Sequence, residues 1–203
     1  MLALDHLAVS AETLEAGAAW VEMALGAPLA GGGRHPQMGT HNRLLSLGDL
    51  YLEVIAIDPA APPPAHPRWF DLDRFRGAPR LTNWICRTDD LDAALAAAPP
   101  GTGTATDLSR GDYRWRFAVP ASGRLPFDDC HPAFIQWQGT LHPARALRDH
   151  GIRLTGLEIT HPQADALRAA LSRLSDPRVV VERGPCHALR ATFSTPNGPR
   201  VLT

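Results

Sequence analysis

Apolar runs followed by polar helix starts recur three times along the chain. LDHLAVSAETLEAGAAW begins at Leu4, LTNWICRTDDLDAALAA at Leu81 and LTGLEITHPQADALRAAL at Leu154. Each reads as a short apolar strand, a polar helix start and a helix with a narrow apolar stripe. The starts lie 77 and 73 residues apart, too long a period for a solenoid and suited to a compact supersecondary unit. The first helix carries Leu14, Val21 and Leu25 on one face and ends at Gly26, with Pro28 beyond. Thr88 and Asp89 open the second helix, and Pro162 opens the third, since a proline in a first turn lacks only an N–H that would be unpaired anyway.

Strand signals fill the space after each helix. GGGRHPQMGTHNRLLSLGDLYLEVIAI predicts a glycine-rich approach, a strand over 40–47, a Gly48-Asp49 turn and a strand holding Glu53. YRWRFAV and AFIQWQ are clear strands of the second unit, with TATDL a weaker one before them. RVVVE, ALRATFS and PRVLT serve the third, with Pro196-Asn197-Gly198 as a hairpin turn. The expected class is α+β, built of tandem βαβββ modules at 1–58 and 80–139 and a degenerate third at 153–203. Residues 59–79 read as a proline-stiffened linker.

LYLEVIAI sets the chemical question, because Glu53 is the single polar residue of a strand that is otherwise apolar. A lone buried carboxylate costs several kcal/mol in round figures, so it must be protonated, paired or metal-bound. Alternation puts Tyr51, Glu53, Ile55 and Ile57 on one face and Leu52, Val54 and Ala56 on the other. By the same rule His6 and Ala8 lie opposite Leu7 and Val9, and Thr40, Asn42, Leu44 and Ser46 share a face from which His41 points away.

DHLAV, HPQMGTHNRLLSLGDLYLEVIA and FIQW together resemble the glyoxalase-like domain group of the vicinal oxygen chelate superfamily, which includes glyoxalase I, extradiol dioxygenases and bleomycin-resistance proteins. The resemblance implies a curved mixed sheet forming a cup, helices on its convex side, and ligands drawn from the first and last strands of two modules. It carries the metal positions onto His6 and Glu53. Laying the second repeat on the first puts Asn83 opposite His6 and Gln136 opposite Glu53. In one reading a divalent ion (zinc, nickel, manganese or iron) is held by His6, Glu53 and Gln136. Thr40, Asn42, His35, Asn83 and Gln136 then bind a small-molecule ligand, and Glu53 serves as catalytic proton shuttle in a lyase or isomerase. In the other, His6 and Glu53 form a hydrogen-bonded pair, the amides complete a network without an ion, and the cup belongs to a non-catalytic binding protein. An iron dioxygenase is disfavoured, since its two-histidine triad lacks a second histidine at a matched position.

Composition narrows the partners. At 203 residues and 44% hydrophobic the chain can bury a full core, and a net charge of −1 offers no basic field for nucleic acid. All 20 basic residues are arginine, which excludes Schiff-base and phosphate-loop lysines. MLALDHLAVS is no basic leader, and no apolar run approaches the roughly 20 residues that span a bilayer. No membrane partner and a cytoplasmic location are therefore expected. Cys86, Cys130 and Cys186 give no disulfide framework. An odd number of modules leaves an unpaired sheet edge, which a homodimer partner would cover.

Overall fold

The computed structural model describes residues 1–203. The first unit comprises β1 (Ala3–Ser10), α1 (Leu14–Leu25), β2 (Ala30–His35), β3 (Thr40–Ser46) and β4 (Tyr51–Ile57). The second comprises β5 (Arg80–Arg87), α2 (Leu91–Ala96), β6 (Thr104–Arg110), β7 (Tyr113–Val119) and β8 (Ala133–Gln138). Their strands join in one eight-stranded sheet, ordered β2-β3-β4-β1-β5-β8-β7-β6, in which β1 runs parallel to β4 and antiparallel to β5. The sheet is curled into a cup, the α+β architecture that the repeats predict.

Alternation sorts the two faces. Leu7, Val9, Leu52, Val54, Ala56, Trp84 and Cys86 form the convex core with Leu14, Val21 and Leu25 of α1. Thr13 caps α1 by accepting from the Ala16 amide, and Gly26 ends it in the left-handed region at φ 73°. The helix lies so close to the sheet that a Cβ on Gly17 would meet Val54 at 2.6 Å. The concave face carries Ala8, Ile55, Ile85, Trp115, Phe117 and Ile135.

The helices of the two modules lie on the convex side as expected, α2 through Leu91 and Ala94, while α3 (Pro143–Ala146), outside the modules, caps the rim of the cup, where Ala144 is buried against Leu44 and Tyr51. One expectation needs correcting: residues 59–79 do not act as a spacer. Trp69, Phe70, Leu72 and Phe75 are buried against the concave face, so the segment is a strap laid into the cup. Its four large apolar side chains drive this placement, at the cost of a left-handed backbone at Phe70 (φ 59°) and Asp71 (φ 50°).

The third unit follows the expected order of elements, with β9 (Arg153–His161), α4 (Ala164–Ala170), β10 (Val179–Arg183), β11 (Ala188–Ser194) and β12 (Arg200–Leu202). Its strand order, β10-β9-β11-β12, differs from that of the first two units. After α4 the chain returns parallel beside β9, and β11 pairs antiparallel on the other side of β9. Leu154, Leu157, Ile159, Leu189 and Phe193 face the convex core, so this sheet covers the back of the cup.

The glycine-rich approach is itself a strand, β2. A Cβ on Gly33 would come within 2.2 Å of Arg110 Cδ, and one on Gly32 within 2.0 Å of the Asn42 carbonyl. Gly32 leaves room for Asn42, and Gly33 for Arg110, which stands on the far edge strand β6 and reaches across the cup to donate to Asn42 Oδ1 at 3.0 Å.

Burial lowers the pKa of two imidazoles in this fold. His131 is fully buried and donates to the Pro132 carbonyl at 2.9 Å, and burial holds its pKa down to about 4. His35 is lowered to about 3 by burial and then by the nearby Arg110, His41 and His6. An unfolded imidazole titrates near 6.5, so below that pH the unfolded chain binds protons that the folded chain refuses. Stability is thus full above pH 6.5 and falls toward about 4 and about 3, by about 1.4 kcal/mol per pH unit for each proton. Melting curves should show this loss in the wild type and a shallower slope in His131→Gln. A flat wild-type profile would contradict the burial of both rings.

Candidate functional site

The site is built on one irregularity in β1. Against β5, Leu4 pairs with Cys86 and His6 with Ile85, so Asp5 is an extra residue bulged out of the ladder. Two consecutive polar side chains, Asp5 and His6, therefore reach the cup side, where strict alternation would have sent Asp5 into the convex core. Asp5 is fully buried. Its Oδ1 accepts from His6 Nδ1 at 2.6 Å, and its Oδ2 accepts from His142 Nε2 at 3.0 Å and Trp137 Nε1 at 3.1 Å, with Arg87 Nη1 at 3.7 Å. Burial pushes the Asp5 pKa up, but the hydrogen bonds from His142 and His6 together outweigh it and hold the carboxyl well below the usual range.

An ionised Asp5 can only accept, which sets both rings. His142 Nδ1 accepts from the Ala144 amide at 3.3 Å, so its Nε2 carries the proton. His6 gives its Nδ1 proton to Asp5 and turns Nε2 toward Glu53 Oε2 at 3.8 Å. The His6 ring lies flat on Tyr51, with centroids 4.3 Å apart, and Tyr51 meets His142 edge-on. Burial first, and then the nearby Asp5 and Glu53, push the Tyr51 pKa well up, so it stays a neutral phenol.

Glu53 is 6% exposed, and its Oε1 accepts a short hydrogen bond from Asn42 Nδ2. Asn42 Oδ1 in turn accepts from the Gly33 amide at 2.8 Å and from Arg110. The open space at this point is about 30 Å³, enough for a water, and its walls include Trp69, Phe70, Trp115, Phe117 and Trp137. His35 also lines it, with Nδ1 3.2 Å from Thr40 Oγ1 and its ring edge-on to Trp69. An imidazole edge and a carboxylate set apart in this way can pass a proton between them or to a molecule lodged beside them.

The structure brings His6, Glu53, Asn42 and His35 to one pocket, with Thr40 behind His35. It separates Asn83 and Gln136 from them. Gln136 faces the convex side, where its Nε2 donates to the Asp89 carbonyl at 2.7 Å and its Oε1 accepts from the Leu91 amide at 3.2 Å, tying down the start of α2. Repeat matching placed Gln136 opposite Glu53, but the parity of AFIQWQ gives the cup to Ile135 and Trp137. Asn83 lies beyond Phe70 and lines a different cavity. Asp5, Trp137, His142, Arg110 and the aromatic strap were not among the expected site residues. The strap announced itself in WFDLDRF, whereas the bulge that turns Asp5 inward left no local signal.

The donor set does not fit the divalent ion that the superfamily implies. His6 and Glu53 are two donors, the matched Gln136 faces away, and no group of three His, Cys, Asp or Glu side chains converges here. The Arg110 guanidinium, one residue removed from Glu53 through Asn42, further disfavours a second positive charge.

No helix is long and apolar enough to cross a membrane. Among curated proteins none matches this sequence. A hypothetical protein of Staphylococcus aureus superposes with a TM-score of 0.63 at 13% identity over 92% of this chain and 88% of that one, a likeness of fold alone. Methylmalonyl-CoA epimerase of Mycobacterium tuberculosis covers 68% of this chain and 88% of its own at 18% identity, with a TM-score of 0.44. The Streptomyces coelicolor epimerase, in complex with 2-nitronate-propionyl-CoA, covers 68% and 97% at 16% identity and the same TM-score. The model of the glyoxalase-like domain matches residues 4–175, most of the chain, and with the eight-stranded cup in place the protein belongs to the glyoxalase-like domain family of the vicinal oxygen chelate superfamily.

Proposed function

We propose that this protein is a small-molecule enzyme of the lyase or isomerase type, in which Glu53 removes and returns a proton next to a carbonyl group. The observation that carries the reading is the line Asp5, His6, Glu53 at the floor of an aromatic pocket. Asp5 fixes the His6 ring and its tautomer, so Nε2 is the edge presented to Glu53. The Asn42 amide holds Glu53 by one oxygen and leaves the other for a proton. Glu53 takes the substrate proton on Oε2, and His6 Nε2, left as an acceptor because Nδ1 donates to Asp5, receives the hydrogen bond of the protonated carboxyl and holds it for return of the proton. The aromatic walls exclude water and favour an apolar substrate body. Its admission requires the strap bearing Trp69 and Phe70 to move, since the space now open holds only a water.

The reaction class is testable without a known substrate. In deuterated water, dihydroxyacetone and 2-methylacetoacetate offer exchangeable protons beside a carbonyl, and proton NMR follows their loss. Wild-type protein should accelerate exchange for at least one such compound, and Glu53→Gln should lower the rate by about 10²- to 10⁴-fold. Tight binding without exchange would instead favour a non-catalytic binding protein, the reading to which the cramped aromatic cup also lends itself.

Asp5→Asn places an N–H donor against three groups that already donate. It should slow exchange by about a hundredfold and destabilise the fold by about 3 kcal/mol, read from the rate and from denaturant unfolding. Unchanged values for both would show that Asp5 does not hold His6.

Zinc, nickel, manganese and iron(II) should shift the melting of wild type, Glu53→Gln and His6→Ala equally. Stabilisation of the wild type alone, growing with the logarithm of ion concentration, would return a metal to this site.

A further inference from the structure

A second cavity, of about 250 Å³, lies between the strap, the start of β5, the turn at 124–130 and β11. Phe70 is a wall shared with the His6 and Glu53 pocket, so the two spaces are neighbours divided by one ring. Asn83 lines the second space. It is 1% exposed, and neither Oδ1 nor Nδ2 has a hydrogen-bond partner in the protein. A buried carboxamide left unpaired costs about 1–3 kcal/mol, which a folded protein rarely accepts without a use.

The charges around it are unequal in their pairing. Arg74 is held by Asp71 at 2.7 Å, and Arg124 lies within 4 Å of Asp71, Asp128 and Asp129. Arg80 has no carboxylate within salt-bridge distance: its Nη1 donates to the carbonyls of Arg76 and Ala78, and its guanidinium stacks over Phe75 at 4.1 Å. The lining carries as many aspartates as arginines, and Arg80 is the arginine among them that no carboxylate pairs.

We propose that this cavity is a second ligand site, separate from the His6 and Glu53 pocket, for a small organic anion that joins a carboxylate to a group able to donate and accept hydrogen bonds. Arg80 receives the carboxylate. Asn83 reads the neighbouring amide, its Oδ1 accepting and its Nδ2 donating, which satisfies both orphaned atoms at once. A space of about 250 Å³ accommodates such a molecule.

Malonamate, one carboxylate and one primary amide on a single carbon, is the probe, with acetate and malonamide as half-ligands. Malonamate at about 10 mM should raise the melting temperature of the wild type with the logarithm of its concentration, and each half-ligand should need about tenfold more. Arg80→Gln and Asn83→Leu should lose the malonamate shift, and Glu53→Gln should keep it. Without ligand, Asn83→Leu should melt at or above the wild type, since it removes an unpaired polar group. No malonamate shift, a shift preserved in Asn83→Leu, or one abolished by Glu53→Gln would each overturn the proposal. So would a fall in the melting temperature of unliganded Asn83→Leu, which would show that the amide has a partner in the protein.

Discussion

A buried carboxylate between two imidazoles and an indole organises this molecule. Asp5 is out of water altogether, and a bare charge there would cost several kcal/mol or more. Three N–H groups meet it, and each of the residues that supply them is thereby fixed: His6 on the floor of the cup, Trp137 on its wall, and His142 at the head of the helix that caps the rim. The direction in which His6 points, the stacking of Tyr51 beneath it and the seat of α3 all follow from satisfying one anion. The anion is there because β1 carries one residue more than its partner strand can pair.

The fold was legible because its two main signals are periodic. The strand-helix-strands repeat and the split of Tyr51, Glu53 and Ile55 from Leu52 and Val54 depend only on spacing, and Asn42 and Thr40 reach the cup by the same rule. Where two rules disagreed the wrong one was easy to follow. Gln136 matched Glu53 by position in the repeat, yet Phe134 beside it belongs to the convex core, and parity puts both on that side. Asp5 escaped for a different reason: a bulge is decided between two strands, and neither strand's own sequence contains it. The third unit keeps the order of elements while its strands pair differently, a matter of long-range contacts that local pattern does not specify.

The strap changes what the cup means. Prolines bring the chain away from β4, but Trp69, Phe70, Leu72 and Phe75 bring it back into the concave face, where it separates the pocket of His6 and Glu53 from the space around Asn83. The molecule thus has two chambers that share the Phe70 ring as a wall. The backbone is held left-handed at Phe70 and Asp71, so local strain is stored in the partition itself.

Arg110 stands on the strand farthest from β2 in the sheet order, yet it ends beside Asn42, whose amide grips Glu53. The cup is therefore clasped across its mouth by a residue of one repeat acting on the key carboxylate of the other. Neither repeat therefore holds this arrangement alone: the carboxylate and the amide that grips it come from the first unit, and the guanidinium that orients the amide comes from the second.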